Sequence, residues 1–155
     1  LHPRVRRQRQ MCIRDRGKIR VLIKEPGKEP TIEEIDDTLE AFQKIVGGHI
    51  ELIEMPGTDD IDIYANDEAM LNHEPGNIWI AGTGDCVKGT CYMVGYDSDT
   101  GDNISLTNDQ IKTCKKYIKT FELPEGADLY RDYFQLVPKM YKKSEKYLNK
   151  SISEM

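Results

Sequence analysis

Short strand-like segments joined by tight turns constrain the fold of this chain most. In KIRVLIKEPGKEPTIEEID, residues 18–36, two strand-like runs flank Pro26-Gly27, a strong turn signal, and Ile19, Val21 and Ile23 of the first run occupy alternating positions. The pattern recurs in HIELIEM and DIDIYAN, which flank a second turn at Pro56-Gly57. Such short turns cannot carry the crossover that joins two parallel strands. The sequence therefore predicts a small mixed sheet that is largely antiparallel.

Two segments have the pattern of helices that pack on such a sheet. DDTLEAFQKIVGG predicts a helix that begins after Asp37 or Thr38 and ends at Gly47-Gly48. LTNDQIKTCKKYIKTFEL is the clearest helix, because Thr107 and Gln110 form a capping box. Its apolar stripe consists of Ile111, Cys114, Ile118 and Phe121. The predicted fold class is therefore α+β, with two helices packed on the sheet.

The rest of the chain predicts a loop and a C-terminal helical extension. We expect a short turn at residues 66–71, an exposed loop through Gly89, and then a core strand in the apolar run 91–96. In the tail, ADLYRDYFQLV fits a short amphipathic helix that ends at Pro138. The expected organisation is an arm over residues 1–16, an α+β domain over residues 17–123 and a helical tail, rich in tyrosine and lysine, over residues 124–155.

Charge is distributed unevenly along the chain. Residues 1–16 hold six arginines and one aspartate, a net charge of +5, whereas the whole 155-residue chain has a net charge of −5 and residues 17–155 therefore carry −10. An arginine-rich arm can neutralise nucleic-acid phosphates. This arm has no aromatic residue for base stacking, and its MCIRDR segment resembles a translated sequencing adapter. We predict that residues 1–16 are a non-native or disordered arm and expect no direct nucleic-acid binding.

Lysines and aromatic residues near the C-terminus leave two interpretations open. Lys112, Lys115, Lys116 and Lys119 form one face of the capped helix. A solvated face is the preferred interpretation, and contact with a polyanion is the alternative. The tyrosines of the tail could stack on single-stranded nucleic acid, but packing of an amphipathic helix on the sheet explains them better.

Patterns of catalytic or metal-binding residues are scarce. The three cysteines of the body, Cys86, Cys91 and Cys114, lack the paired spacing of a zinc site, and their odd number argues against an extracellular disulfide framework. There is no G-x-S-x-G elbow, and Lys88 precedes the second glycine of GTGDCVKGT, unlike the lysine of a phosphate-binding loop. No stretch approaches the roughly 18 to 20 apolar residues of a membrane span. We predict a soluble cytoplasmic protein without catalytic activity, metal or cofactor.

Several motifs, taken in order, resemble those of domain-of-unknown-function family 3846. They are the EPGK turn, the acidic helix start, the GG stop, the NDE turn and the SLT helix cap, and the similarity covers about residues 18–121. The acidic segment at residues 58–62 and the tyrosine-rich tail depart from the family pattern. The family is associated with bacteriophages, plasmids and their hosts, and the resemblance implies no activity. It implies an accessory protein of a phage or mobile element that acts in the cytoplasm of a bacterial host, whereas the adapter-like MCIRDR segment indicates a metagenomic source.

Polar residues in the predicted loops form the candidate binding site, which consists of Asn66, Glu68, Asn77, Trp79 and Lys88. Lys88 would supply charge, the asparagines hydrogen bonds and Trp79 stacking to a small, nucleotide-like ligand or a host protein. Local turn bonding is the alternative explanation for the asparagines. A second hypothesis is that the acidic body mimics nucleic acid and occupies a DNA-binding host protein. The sequence leaves the oligomeric state open, and a homo-oligomer is among the expected states.

Overall fold

The computed structural model describes residues 17–69, 71–128 and 131–153. These residues form eight strands: β1 Lys18–Lys24, β2 Thr31–Asp36, β3 Ile50–Glu54, β4 Ile61–Asn66, β5 Gly76–Trp79, β6 Cys86–Lys88, β7 Cys91–Asp97 and β8 Asp102–Ile104. Three helices, α1 Leu39–Val46, α2 Asn108–Phe121 and α3 Tyr133–Ser153, complete them. The predicted α+β class is confirmed. The arm predicted over residues 1–16 lies outside the described residues.

One six-stranded sheet organises the fold. Its strand order is β2-β1-β7-β4-β3, and β8 also pairs with β7. Every pair is antiparallel, so the prediction of a largely antiparallel sheet is confirmed. Tyr92, on the central strand β7, lies between Ile23 of β1 and Tyr64 of β4. The sheet therefore depends on a strand whose partners come from distant parts of the chain.

The face of the sheet covered by α1 holds a small aromatic core. Side chains alternate between the two faces of a sheet, so Val21, Tyr64 and Tyr92 share this face with Phe42 of α1. The rings of Phe42 and Tyr92 stack with their centroids 5.0 Å apart, and those of Tyr64 and Tyr92 with centroids 5.3 Å apart. The amphipathic pattern of DDTLEAFQKIVGG thus positions α1 through one buried stripe.

The opposite face holds the larger core, beneath the β5–β6 hairpin, α2 and α3. Trp79 is at its centre, fully buried, and its indole Nε1 donates a hydrogen bond to Ser144 Oγ of α3 at 3.1 Å. Tyr117 of α2 accepts a hydrogen bond from the Ala81 amide and donates one to the carbonyl of Trp79, both at 2.9 Å. These bonds join the hairpin to both helices, so the three elements form one layer on the sheet.

The predicted helix ends agree with the structure at α1 and α2. Thr107 Oγ1 accepts a hydrogen bond from the Gln110 amide at 3.1 Å, and Gln110 Oε1 accepts one from the Thr107 amide at 2.9 Å. This reciprocal pair is the predicted capping box. Thr38 caps the start of α1, and Gly47 ends it with a φ of 82°, a left-handed conformation that favours glycine.

Two predictions about the second half of the chain are wrong. The segment before Gly89 is not an exposed loop, because β5 and β6 pair there as a largely buried hairpin. Its strands have four and three residues, which is too short for a clear alternation of apolar residues. Pro138 does not end a helix but lies inside α3. Because Pro138 is near the start of α3, it removes only one backbone bond, to the carbonyl of Phe134, while Leu136 and Met140 bury the helix in the core.

Buried thiols lead to a prediction about alkaline stability. Burial raises the pKa of Cys86 from 9.0 to about 11 and the pKa of Cys91 and Cys114 to about 12. Between the unfolded and the folded pKa, the unfolded chain releases protons that the folded chain keeps. The stabilising contribution of these thiols is therefore complete below pH 9 and is lost as the pH rises toward 12. The free energy of unfolding should fall over this range when it is measured by urea denaturation.

Replacing Cys91 with alanine provides the control for this effect. The substitution removes one buried thiol, so the decline of stability with pH should be shallower than in the parent chain. Equal slopes for the two chains would contradict the assignment of the alkaline loss to buried thiols.

Candidate binding surfaces

A recess beside β6, here called the β6 cleft, contains two of the predicted site residues. It has a volume of about 310 Å³ and lies between β6 and the ends of β3 and β4. Asn66 and Lys88 line it together with three carboxylates, those of Glu51, Asp67 and Asp85. The cleft therefore combines a partly apolar lining with an excess of negative charge.

The side-chain amide of Asn66 forms hydrogen bonds with backbone groups of the protein itself. Its Nδ2 donates to the carbonyl of Val46 at 3.2 Å, and its Oδ1 accepts from the amide of Glu68 at 2.8 Å. These are the local bonds of the turn-forming alternative. Asn66 therefore shapes one wall of the cleft and ties the end of β4 to the end of α1, while Glu68 is exposed beside it.

Lys88 is the only cationic residue in the described lining of the β6 cleft. Its Nζ lies 3.0 Å from Asp85 Oδ1, and its side chain is 15% exposed. Asp85 therefore neutralises the positive charge of Lys88 that an anionic ligand would need, and the carboxylates of Glu51 and Asp67 remain in the lining. Electrostatics in this cleft therefore favour an amine or guanidinium over a phosphate.

Asn77 and Trp79 lie in the core and not at the surface of the cleft. Asn77 Nδ2 donates to the carbonyl of Lys24 at 2.8 Å and to the carbonyl of Gly89 at 2.9 Å, so it joins the end of β1 to the turn between β6 and β7. Trp79 is fully buried. Stacking of a ligand on Trp79 would require the core to open. The sequence interpretation placed both residues on the surface because it assumed an exposed loop around them.

A second recess, here called the α1–β2 groove, lies on the other face of the sheet. Its volume is about 750 Å³, and α1 and the strands β1 and β2 border it. Apolar side chains in its lining are those of Ile23, Ile35, Ala41 and Ile45. The charged lining residues are Glu25, Glu33, Asp36 and Glu40, with Lys18 and Lys44. The groove thus combines apolar surface with a predominantly acidic rim.

The sequence itself contains a signal for this groove. Ile35 alternates with Glu34 and Asp36 on an edge strand, and Ile45 lies beside the buried stripe of α1. Both isoleucines are only partly buried. Partly buried apolar residues next to acidic residues on two neighbouring elements indicate an amphipathic surface.

Charge is separated between the two helices of the large core and the rest of the protein. Helices α2 and α3 hold nine lysines and two carboxylates, a net charge of +7. The remainder of residues 17–153 holds seven lysines and arginines and 23 carboxylates, a net charge of −16. Because α1 covers the opposite face of the sheet from α2 and α3, the acidic groove and the lysine-rich helices lie on opposite faces.

Neither recess has the residues of a metal centre. No group of three or more His, Cys, Asp or Glu side chains within residues 17–69, 71–128 and 131–153 is arranged to hold a metal ion. None of the helices in this part of the chain is both long and apolar enough to cross a bilayer. Both recesses are concave and have charged lining residues, which are features of a binding site.

Comparison with known proteins identifies the family of the chain. The family model described as "Domain of unknown function (DUF3846)" matches residues 19–122, which extend from β1 to the end of α2. Searches of curated proteins and of solved structures found no match. Apart from Lys18, the matched residues contain the six-stranded sheet, both recesses and the first two helices, whereas α3 follows them. Because the match covers well over half of the sequence, the chain belongs to this family of domains of unknown function.

Proposed function

We propose that this protein is a non-catalytic binding protein whose acidic surface docks a basic macromolecular partner. The observation that carries the proposal is the net charge of −16 of those residues within 17–153 that lie outside α2 and α3. A field of this size attracts basic partners and accelerates their association. The partner we propose is a nucleic-acid-binding protein of the cell that hosts a phage or mobile element. The acidic surface around the α1–β2 groove, here called the acidic face, would occupy the nucleic-acid-binding site of this partner. The phage setting is an inference from the family resemblance and is part of the proposal.

The α1–β2 groove is the proposed docking point. Its apolar lining can accept apolar side chains of the partner, and Glu33 and Glu40 on its rim can pair with lysines or arginines. Both glutamates are exposed. A basic amphipathic segment has this combination of side chains, whereas free DNA or a nucleotide would be repelled by the rim.

Substitutions that remove negative charge from the groove without changing the size of the side chains test this proposal. Glu33→Gln with Glu40→Gln should weaken the binding of a labelled arginine- and leucine-rich peptide by about three- to tenfold, since an exposed ion pair contributes about 0.2–1 kcal/mol. Asp59→Asn with Asp99→Asn removes the same charge from exposed loops that do not line the groove. Fluorescence anisotropy over a salt series measures both pairs of variants, and the affinity of the loop variant should stay near that of the parent chain.

Equal weakening by the groove pair and the loop pair would show that net charge alone attracts the peptide, which contradicts docking in the groove. Nucleic-acid mimicry also predicts competition between this protein and DNA for the same partner. A DNA-binding protein held by the acidic face should release its DNA as this protein is added, and the competition should weaken as salt is raised.

The volume of the β6 cleft favours a second candidate function, the binding of a small ligand. About 310 Å³ is at the lower end of the range for small-molecule sites. A nucleotide-like ligand would have to place its phosphate at Lys88, whereas an amine would pair with Glu51 or Asp67. Native mass spectrometry of the purified protein distinguishes these outcomes, because a ligand held at Lys88 should be lost from a Lys88→Met variant.

A further inference from the structure

We propose that a row of lysines on α3 binds the sugar-phosphate backbone of a DNA duplex. The row, here called the α3 lysine row, consists of Lys139, Lys142, Lys143, Lys146 and Lys150. It is a different surface from the acidic face of the proposed function, and neither proposal depends on the other.

The part of α3 that follows Pro138 contains the whole row. At about 3.6 residues per turn, the five lysines fall within one sector of about 100° around the helix axis. With a rise of about 1.5 Å per residue, they extend over roughly 16 Å. All five are exposed.

The opposite flank of α3 has a different chemistry. Glu145 is the only carboxylate within Tyr133–Ser153, and the same helical geometry places it outside the row, about 60° around the helix from Lys142 and on the flank of Phe134 and Tyr141. The remaining side, with Leu136, Val137 and Met140, is buried in the core. The lysine row is therefore an uninterrupted line of positive charge.

Charge complementarity and shape favour DNA as the occupant. Duplex DNA carries about one negative charge per 1.7 Å of its axis, so a straight row of cations can face several phosphates at once. An anionic membrane would need apolar side chains beside the lysines to enter the interface. Leu136, Val137 and Met140 are buried in the core, and the exposed rings of Phe134 and Tyr141 lie more than about 100° around the helix from the centre of the lysine row. Lysine contacts of this kind position a duplex without reading its sequence.

Salt dependence provides the test. A triple variant, Lys139→Gln, Lys142→Gln and Lys146→Gln, is compared with the full-length parent chain for binding to a short mixed-sequence DNA duplex. Each lost phosphate contact should reduce the slope of log affinity against log salt by about 0.9, so the triple variant should lose about 2.7. Circular dichroism of both chains verifies that the exposed substitutions leave the fold intact.

Lysines of α2 provide a matched control. Lys112→Gln, Lys116→Gln and Lys119→Gln remove the same charge from exposed positions of the other helix. Both triple variants retain the six arginines of residues 1–16, so any contribution of that segment is common to both. A larger loss of slope in the α3 variant supports the proposal. Equal losses, the absence of duplex binding by the parent chain at low salt, or binding to anionic vesicles but not to the duplex would each overturn it.

Discussion

Replacing Trp79 with alanine should lower the free energy of unfolding by about 3–5 kcal/mol, the usual cost of removing a large aromatic side chain from a core. Trp79 is fully buried, and its indole connects the β5–β6 hairpin to α3 through Ser144. The substitution leaves a cavity beneath α3 and removes that hydrogen bond. Urea denaturation followed by circular dichroism measures the effect without relying on the fluorescence of the single tryptophan.

Phe134→Ala is the matched control for this substitution. Phe134 is 91% exposed, so its removal should change the free energy of unfolding by less than about 0.5 kcal/mol. Ser144→Ala separates the hydrogen bond from the cavity and should cost about 1–3 kcal/mol, because it leaves the buried indole N–H without its acceptor. A Trp79→Ala variant as stable as the Phe134→Ala variant would contradict the placement of Trp79 at the centre of the larger core.

Asn77→Leu should have the second largest effect, a loss of about 2–5 kcal/mol. Leucine is similar in size to asparagine but cannot donate to the carbonyls of Lys24 and Gly89, and each buried carbonyl left unpaired costs about 1–3 kcal/mol. Asn77 Oδ1 has no hydrogen bond within the described residues, so the cost arises from the lost donors. The same denaturation measurement applies.

Asn72→Leu makes the same chemical change at an exposed position in the turn before β5, and we expect it to be nearly neutral. If Asn77 instead contacted a ligand at the surface, Asn77→Leu would reduce binding and leave stability nearly unchanged. The pair of variants therefore separates a structural role of Asn77 from the binding role predicted from sequence.

The parts of the fold that the sequence predicted well are those with strong local signals. Pro26-Gly27 and Pro56-Gly57 set short turns, and short turns restrict the strands they join to antiparallel pairing. The Thr107–Gln110 capping box positions α2 within one residue. Local signals were too weak at β5 and β6, where only packing against α2 and α3 reveals that the segment is buried.

The candidate site was harder to predict, because polar residue types do not disclose whether they face solvent. Asn66 and Lys88 line one cleft, whereas Asn77, which is also a polar residue in a predicted loop, is buried. An asparagine in the core satisfies backbone carbonyls that have no partner in the sheet, and this requirement depends on the tertiary structure. The α1–β2 groove likewise requires two elements to meet, so neither segment indicates it alone.

The position of β7 at the centre of the sheet has a consequence for how the protein folds. β1 and β4 precede β7 by about 70 and 30 residues in the chain and pair with it directly. During synthesis, neither strand can complete its pairing until residues 91–97 leave the ribosome. Such distant pairing slows folding, and unpaired strands are prone to aggregate in the meantime. We therefore expect refolding in milliseconds to seconds and the accumulation of insoluble protein when synthesis is truncated before β7.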